Sequence, residues 1–355
     1  MRRKIYQELL QWKQRSGESA LLVQGARRVG KSYIVEAFAK AEYKSYILID
    51  FNLVDQPVKE MFEHDLVDLK TFFMKLTTYY GVKLYERESL IIFDEVQLFP
   101  RARSAIKYLV ADGRYDYIET GSLISIRENV KDILIPSEED HVDMYPLDFE
   151  EFLWANGNDT MMDFIRDCYR KKAPLGQALH RKAMDLFRQY LIVGGMPQAV
   201  NAFVKHNDFD EVDRVKRRIL NLYRDDIRKH AKGYEMKVEA IYDEIPSQMK
   251  NQNQHFKLSS LKQGARFDEY KDAMFWLSDA MIVNHCYNAT EPTFGLNLNR
   301  DRTLLKCYMG DTGLLISHAF DENGIVTGEV YKKLLLDKLE VNMGMVMENM
   351  VAQML

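Results

Sequence analysis

The chain has 355 residues, 46% of them hydrophobic and 29% charged. At about 150 residues per domain this length calls for two or three folded units, and the composition excludes a disordered chain or a disulfide-stapled miniprotein. Lys and Arg number 49 against 53 Asp and Glu, a net charge of −4, so no global basic field marks the chain for nucleic acid and any such binding must be local.

The basic start Met1-Arg-Arg-Lys leads into IYQELLQWKQR, which is amphipathic and polar rather than the apolar heart of a signal peptide. No run of about 18 apolar residues occurs, so no membrane span is expected and the cytoplasm is the expected compartment. ALLVQ, Ala20 to Gln24, reads as a short strand ending at Gly25. Ser32 to Lys40 then has helical spacing, with Ile34, Val35 and Phe38 on one face. YILIDF (Tyr46 to Phe51) is a second strand. Leu66, Leu69, Phe72, Phe73, Leu76 and Tyr80 repeat as one helix should. SLIIFD (Ser89 to Asp94) and YDYIET (Tyr115 to Thr120) are further apolar runs. Strands alternating with helices predict an α/β fold with a doubly wound parallel sheet covered on both faces.

After about residue 150 the pattern becomes helical as far as Lys232. From Tyr234, helices precede a strand-rich piece, Ala280 to Leu305, with Pro292, Gly295 and Asn297 in its turn, the outline of a winged helix. Val326 to Leu355 returns to amphipathic helix and stops after VAQML with no Gly, Asn or Pro to end it. Cys168, Cys286 and Cys307 show none of the close spacings of zinc or redox sites and read as reduced thiols.

The most informative residues are Gly25-Ala-Arg-Arg-Val-Gly30-Lys31-Ser32, a full G-x-x-x-x-G-K-[ST] between a strand and a helix. Glycines let such a loop wrap closely enough for backbone N–H groups to cradle phosphate oxygens, and the helix beyond presents its positive dipole end. The candidate nucleotide-binding set is therefore Gly25, Ala26, Arg27, Arg28, Val29, Gly30, Lys31 and Ser32, with Tyr33 following. Lys31 is placed to reach the β and γ phosphates, and Ser32 to offer a hydroxyl to Mg²⁺.

LIIFDE ends in Asp94 and Glu95, a Walker B pattern to the loop's Walker A. Carboxyl ends of parallel strands can meet over one ligand. Asp94 is the second candidate for Mg²⁺, and Glu95 the candidate to orient or deprotonate the attacking water. Thr120-Gly121-Ser122 offers hydroxyls where a γ-phosphate sensor would sit, and it equally suits a capped turn.

Taken together these motifs resemble the prokaryotic AAA-type ATPases of the AAA-14 group that carry a C-terminal domain of unknown function numbered 4143. The resemblance covers nearly the whole chain. GARRVGKS, LIIFDEVQ and ETGS follow that family's order, as do YPLDFEEFL from Tyr145, YLIVGGMP from Tyr190, LNLYRDDI from Leu220, KCYMGDTGLL from Lys306 and ENMVA from Glu348. It implies a P-loop ATPase core at 1–150, an all-α lid at 151–232, a winged helix at 233–320, and at 321–355 the start of a region similar to PD-(D/E)xK nucleases. It also implies ATP as ligand and an adenine-side role for Pro197 in Gly195-Met-Pro197, whose plainer reading is a helix break. Two departures stand out. Relatives place a Gly-Arg pair where this chain has Pro136-Ser-Glu-Glu-Asp-His-Val-Asp143, so no arginine finger can be assigned and slow turnover is expected. The remaining nuclease residues would lie beyond Leu355, which makes the chain look like a fragment.

Eight Lys or Arg against Asp225 and Asp226 give 214–232 a local charge of +6. With a winged helix this makes DNA a candidate partner; a solvated face or an oligomer contact are the alternatives. The leading expectation is an Mg²⁺-dependent ATPase that works as a conformational switch. Its rivals are a nucleotide-gated DNA-binding regulator with negligible hydrolysis and a small-molecule kinase.

Overall fold

The computed structural model describes residues 1–15, 17–123, 136–251, 255–291, 295–320 and 343–355. The chain packs as two units, Arg3–Tyr145 and Met1–Arg2 with Pro146–Leu355. No helix among the described residues is long and apolar enough to cross a membrane.

The first unit contains α1 (Ile5–Gln14), β1 (Ala20–Gln24), α2 (Lys31–Glu42), β2 (Ser45–Asp50), α3 (Gln56–Glu60) running into a π-helical turn at Met61–Asp65, and α4 (Leu69–Tyr80). It continues through β3 (Ser89–Asp94), α5 (Pro100–Asp112), β4 (Asp116–Gly121) and β5 (Glu139–Asp143). The five strands are parallel in the order β2-β3-β4-β1-β5. The chain leaves β1 for the far edge and returns inward through β3 and β4, so the winding reverses beside β1. Ligands of open parallel sheets bind at such a reversal, outside the carboxyl ends of the strands, here β1 and β4.

Strand alternation sends Ala20, Leu22, Ile91, Phe93 and Tyr117 into one apolar cluster with Phe62, Phe72, Phe73 and Ile106. Phe62 is its centre: the rings of Phe51, Phe72, Phe93 and Phe99 stand edge-on to it at 5.8, 5.1, 5.5 and 6.0 Å. On α2, Ile34, Val35 and Phe38 are buried as their spacing predicts, and Tyr6 of α1 meets Phe38 at 5.4 Å. Two details depart from the sequence pattern. The helix expected from Leu66 starts at Leu69, because the Asp68 side chain accepts from the N–H groups of Lys70 and Thr71 and caps it there. β5, Glu-Asp-His-Val-Asp, has no apolar run to announce it; among the described residues it is an edge strand that pairs only with β1.

The second unit holds α6 (Phe149–Ala155), α7 (Met161–Lys171), α8 (Gln177–Val193), α9 (Pro197–His206), α10 (Phe209–His230), α11 (Glu235–Lys250) and α12 (Phe267–Asp279). β6 (Val283–Ala289) and β7 (Arg300–Met309) then pair antiparallel, before α13 (Thr312–Ala319) and α14 (Met343–Met354). The run of helices expected over 151–232 is present. Segments from both sides of 232/233 and of 320/321 share one buried knot. Lys216 of α10, fully buried, donates to Ile192 O at 2.7 Å and Gly313 O at 3.2 Å. The Asp311 carboxylate accepts from Gly195 N at 2.6 Å and Leu314 N at 2.8 Å. Leu147 N donates to Gly195 O at 2.7 Å, Tyr190 OH to Leu147 O at 2.9 Å, and Gln353 Nε2 to Tyr190 OH at 3.1 Å. A Cβ on Gly194 would collide with Asp311, and one on Gly195 with the Leu147 carbonyl. YPLDFEEFL, YLIVGGMP and KCYMGDTGLL thus interlock physically.

Glu348, the acid expected to open a nuclease-like region, accepts from Tyr308 OH at 2.8 Å and pairs with Lys306, which fastens α14 to β7. Residues 321–342 of that expected region lie outside the described residues, as does Pro292 of the expected turn.

Removing the central ring is expected to be severe. Phe62→Ala should cost about 3–5 kcal/mol through lost burial and the cavity left behind; a denaturant titration of the first unit's unfolding that shows less than 1 kcal/mol, on the order of a surface change, would contradict this packing.

Candidate nucleotide site

β1 ends at Gln24 and α2 begins at Lys31, so the phosphate-loop pattern spans the turn between them. Met144 N donates to Gln24 O at 2.7 Å, and the Met144 carbonyl lies so close over Gly25 that any Cβ there would strike it. Glycine at 25 is thus required by close approach, and Gly30 by its φ of 98°. Arg28 also has positive φ, 72°, and is exposed. Among the described residues no side chain caps α2, which leaves its N-terminus suited to an anion. Ala26 and Val29 are buried, Arg27 is half-buried, and Tyr33 is exposed.

Lys31 is buried, and its Nζ donates to Gly25 O and Ala26 O, both at 3.0 Å. Burial lowers its pKa to about 8, against the opposing pull of the Glu95 and Asp94 carboxylates. Asp94 Oδ1 accepts the Ser32 hydroxyl at 2.7 Å and also the Thr120 hydroxyl. The start of α2 and the ends of β3 and β4 are therefore joined at one carboxylate. Glu95 sits in the left-handed region at φ 53°, a conformation that costs a non-glycine residue about 1–3 kcal/mol and that its surroundings must hold. Gln97 Nε2 donates to its Oε2 at 2.5 Å and Ser122 Oγ at 3.4 Å.

Of the residues expected to form the site, Lys31, Ser32, Asp94, Glu95 and Thr120 come together here. Pro197 opens α9 in the second unit, half-buried behind the Gly194-Gly195 knot. Sequence reasoning passed over Gln97, Met144 and Asp50. Asp50 pairs in register with Asp94, and its carboxyl is raised above the ordinary range by burial and then, against a hydrogen bond from Asn52 N, by Asp94 and Glu95. Its only signal was its place at a strand end. Among the described residues no group of three or more His, Cys, Asp and Glu is gathered to hold a metal. Ser32 and Asp94 nonetheless form an adjacent pair of oxygen donors, the sparse protein share that Mg²⁺ takes alongside phosphates and water.

Carboxyl-end hydroxyls and carboxylates meeting a glycine loop at the winding reversal give the first unit the P-loop NTPase fold. Residues 17–153 match the family model described as AAA domain. Residues 184–323 match a model described as Domain of unknown function (DUF8612), where the resemblance named number 4143. The chain is similar in fold to the Walker-type ATPase PABY2304 of Pyrococcus abyssi, with a TM-score of 0.51 at 14% identity over 90% of this chain and 95% of that one. It also aligns with the Aeropyrum pernix ORC1 protein in complex with DNA, at a TM-score of 0.33 and 11% identity over 92% and 94% of the two chains. No curated protein matches the sequence.

Next to Thr120 on β4, Glu119 is fully buried. Burial first, and then the neighbouring Glu139, hold its carboxyl well above the ordinary range. Glu139 itself stays below that range: burial raises it, but Glu119, Arg103 and His141 together outweigh the burial, with Arg103 Nη2 at 3.0 Å. Above the ordinary carboxylate pKa the unfolded chain releases the Glu119 proton while the fold retains it, so this group makes stability fall as pH rises. Glu119→Gln should therefore raise Tm at pH near 8 and lose that advantage as pH falls towards about 4; a variant less stable than wild type at the higher pH would contradict the protonated assignment.

Proposed function

We propose that the chain is an Mg²⁺-dependent ATPase that uses nucleotide binding and hydrolysis as a conformational switch. The observation that carries this reading is the meeting of Ser32, Asp94 and Thr120 beside Lys31 and Glu95 at the carboxyl ends of three strands. The loop amides from Gly25 to Ser32 hold phosphate oxygens, and the Lys31 ammonium bears on the β and γ groups. Ser32 and Asp94 are the residues that would hold Mg²⁺, which when bound neutralises charge on the phosphates. Glu95 accepts the proton of a water whose oxygen bonds to the γ-phosphorus as the bond to the ADP oxygen breaks. Gln97 and Ser122 keep that carboxylate in place.

Lys31→Ala should weaken ATP binding about 10- to 100-fold, the loss of a charge-assisted contact. Glu95→Gln should keep ATP binding and lose turnover by about 10²–10⁴. Titration calorimetry and phosphate release measure the two; undiminished ATP affinity in Lys31→Ala would remove the proposal, and release of a phosphorylated metabolite in place of phosphate would favour a kinase.

The second reading is a DNA partner for the second unit. The order α11, α12, β6-β7 supports a winged helix, and Arg218, Lys229 and Lys232 are exposed, as are Arg300 and Arg302 of the hairpin. Charge limits it. Five of the eight cations of 214–232 are engaged internally: Lys216 in the knot, Arg214 with Glu211, Arg217 with Asp213, Arg224 with Asp243 and Arg228 with Glu239. The exposed face of α12 carries Asp268, Glu269 and Asp272 against Lys271, a poor surface for a phosphate-lined groove. Any duplex affinity should fall steeply with salt and drop further in Arg300→Glu/Arg302→Glu; anisotropy that is flat across salt or unchanged in that variant would end this reading.

A further inference from the structure

Arg3 is a cation in the first turn of the chain, and its side chain is buried in the first unit. Its Nη1 donates to Val29 O at 3.0 Å, inside the phosphate loop, and its Nη2 donates to Tyr145 O at 2.6 Å. Burying a guanidinium costs free energy unless its donors are satisfied, so a buried arginine gripping two backbone carbonyls is a committed arrangement.

We infer that Arg3 is a positioning residue for the phosphate loop, an inference that rests on the ATPase reading above. The peptide linking Val29 to Gly30 is planar and trans, so its C=O and N–H point in opposite directions. Holding the Val29 oxygen aims the Gly30 N–H, one of the amides assigned to phosphate, away from the guanidinium. That peptide plane needs a restraint. Gly30 at φ 98° has no Cβ to bar rotation, and a flipped plane would present a carbonyl oxygen, the wrong dipole end, to an anion.

The second acceptor adds to the case. Tyr145 is the last residue of the first unit on that side, and Arg3 is the first residue on the other; the chain passes between units at Arg2/Arg3 and at Tyr145/Pro146. Met144, one residue earlier, is the residue whose carbonyl lies over Gly25 and whose N–H binds Gln24. One guanidinium thus fixes the far end of the loop to the same segment that packs on its near end. Arg2, by contrast, stacks on Trp154 at 4.0 Å within the second unit.

The experiment compares wild type, Arg3→Met and Arg3→Lys, each carrying any affinity tag at the C-terminus. Two quantities are read: amide exchange of residues 25–32 without nucleotide, and the KM and kcat of ATP turnover. In Arg3→Met, loop exchange should quicken while the rest of the first unit is unchanged, and KM should rise about tenfold, as expected for a lost charged hydrogen bond, with kcat altered much less. Arg3→Lys should recover part of the effect, and millimolar guanidinium should recover part of it in Arg3→Met. Unchanged loop exchange and KM in Arg3→Met would overturn the inference. If Arg3→Met fails to fold, Arg3→Lys decides: a lysine reaches one carbonyl, so wild-type exchange and KM there would overturn it. A wild type that binds no ATP defeats the ATPase reading, and loop exchange still tests the hold of Arg3 on its own.

Discussion

One carboxylate oxygen organises this site. Asp94 Oδ1 receives the hydroxyls of Ser32 and Thr120, and with them the start of α2 and the ends of β3 and β4 are brought to a common point. The rest of the first unit makes that meeting possible. The apolar cluster around Phe62 and the buried face of α2 fix the strands in register, and the strand order places β4 against β1 although β2 and β3 intervene in the chain. A hard cation and a polyphosphate need oxygen donors and amides that do not rearrange on binding. The strand ends supply the first and the Gly25 to Ser32 loop the second.

Much of this could be read from residues alone, because the loop and LIIFDE are local patterns whose chemistry dictates their spacing. Other parts could not. β5 is a polar edge strand with no periodicity to betray it, and the start of α4 is set by the Asp68 cap rather than by the apolar spacing that begins at Leu66. Thr120 and Ser122 were ambiguous between a sensor and a turn; in the fold each hydroxyl faces a different carboxylate, Asp94 and Glu95. Arg3 and Met144 act on the loop from over twenty and over a hundred residues away, a relation that no local pattern encodes.

The second unit corrects a different kind of inference. A charge of +6 counted along a helix suggests a binding face, yet Lys216 lies in the core and four arginines face carboxylates of their own unit. Linear charge overstates surface charge whenever a helix is packed on several sides. The same packing joins YLIVGGMP, GDTGLL and ENMVA: Asp311 accepts from Gly195 N, and Asn349 donates to Thr312 Oγ1 and Met309 O.

The central claim is that Ser32 and Asp94 form a divalent-cation site completed by ATP in the phosphate loop. Electron paramagnetic resonance with Mn²⁺ in place of Mg²⁺ tests it most directly. The account predicts a protein-bound Mn²⁺ spectrum that requires ATP and is lost or strongly weakened in Asp94→Asn and in Ser32→Ala. An ATP-dependent spectrum unaltered by both substitutions, or no ATP-dependent Mn²⁺ binding by wild type, would contradict it.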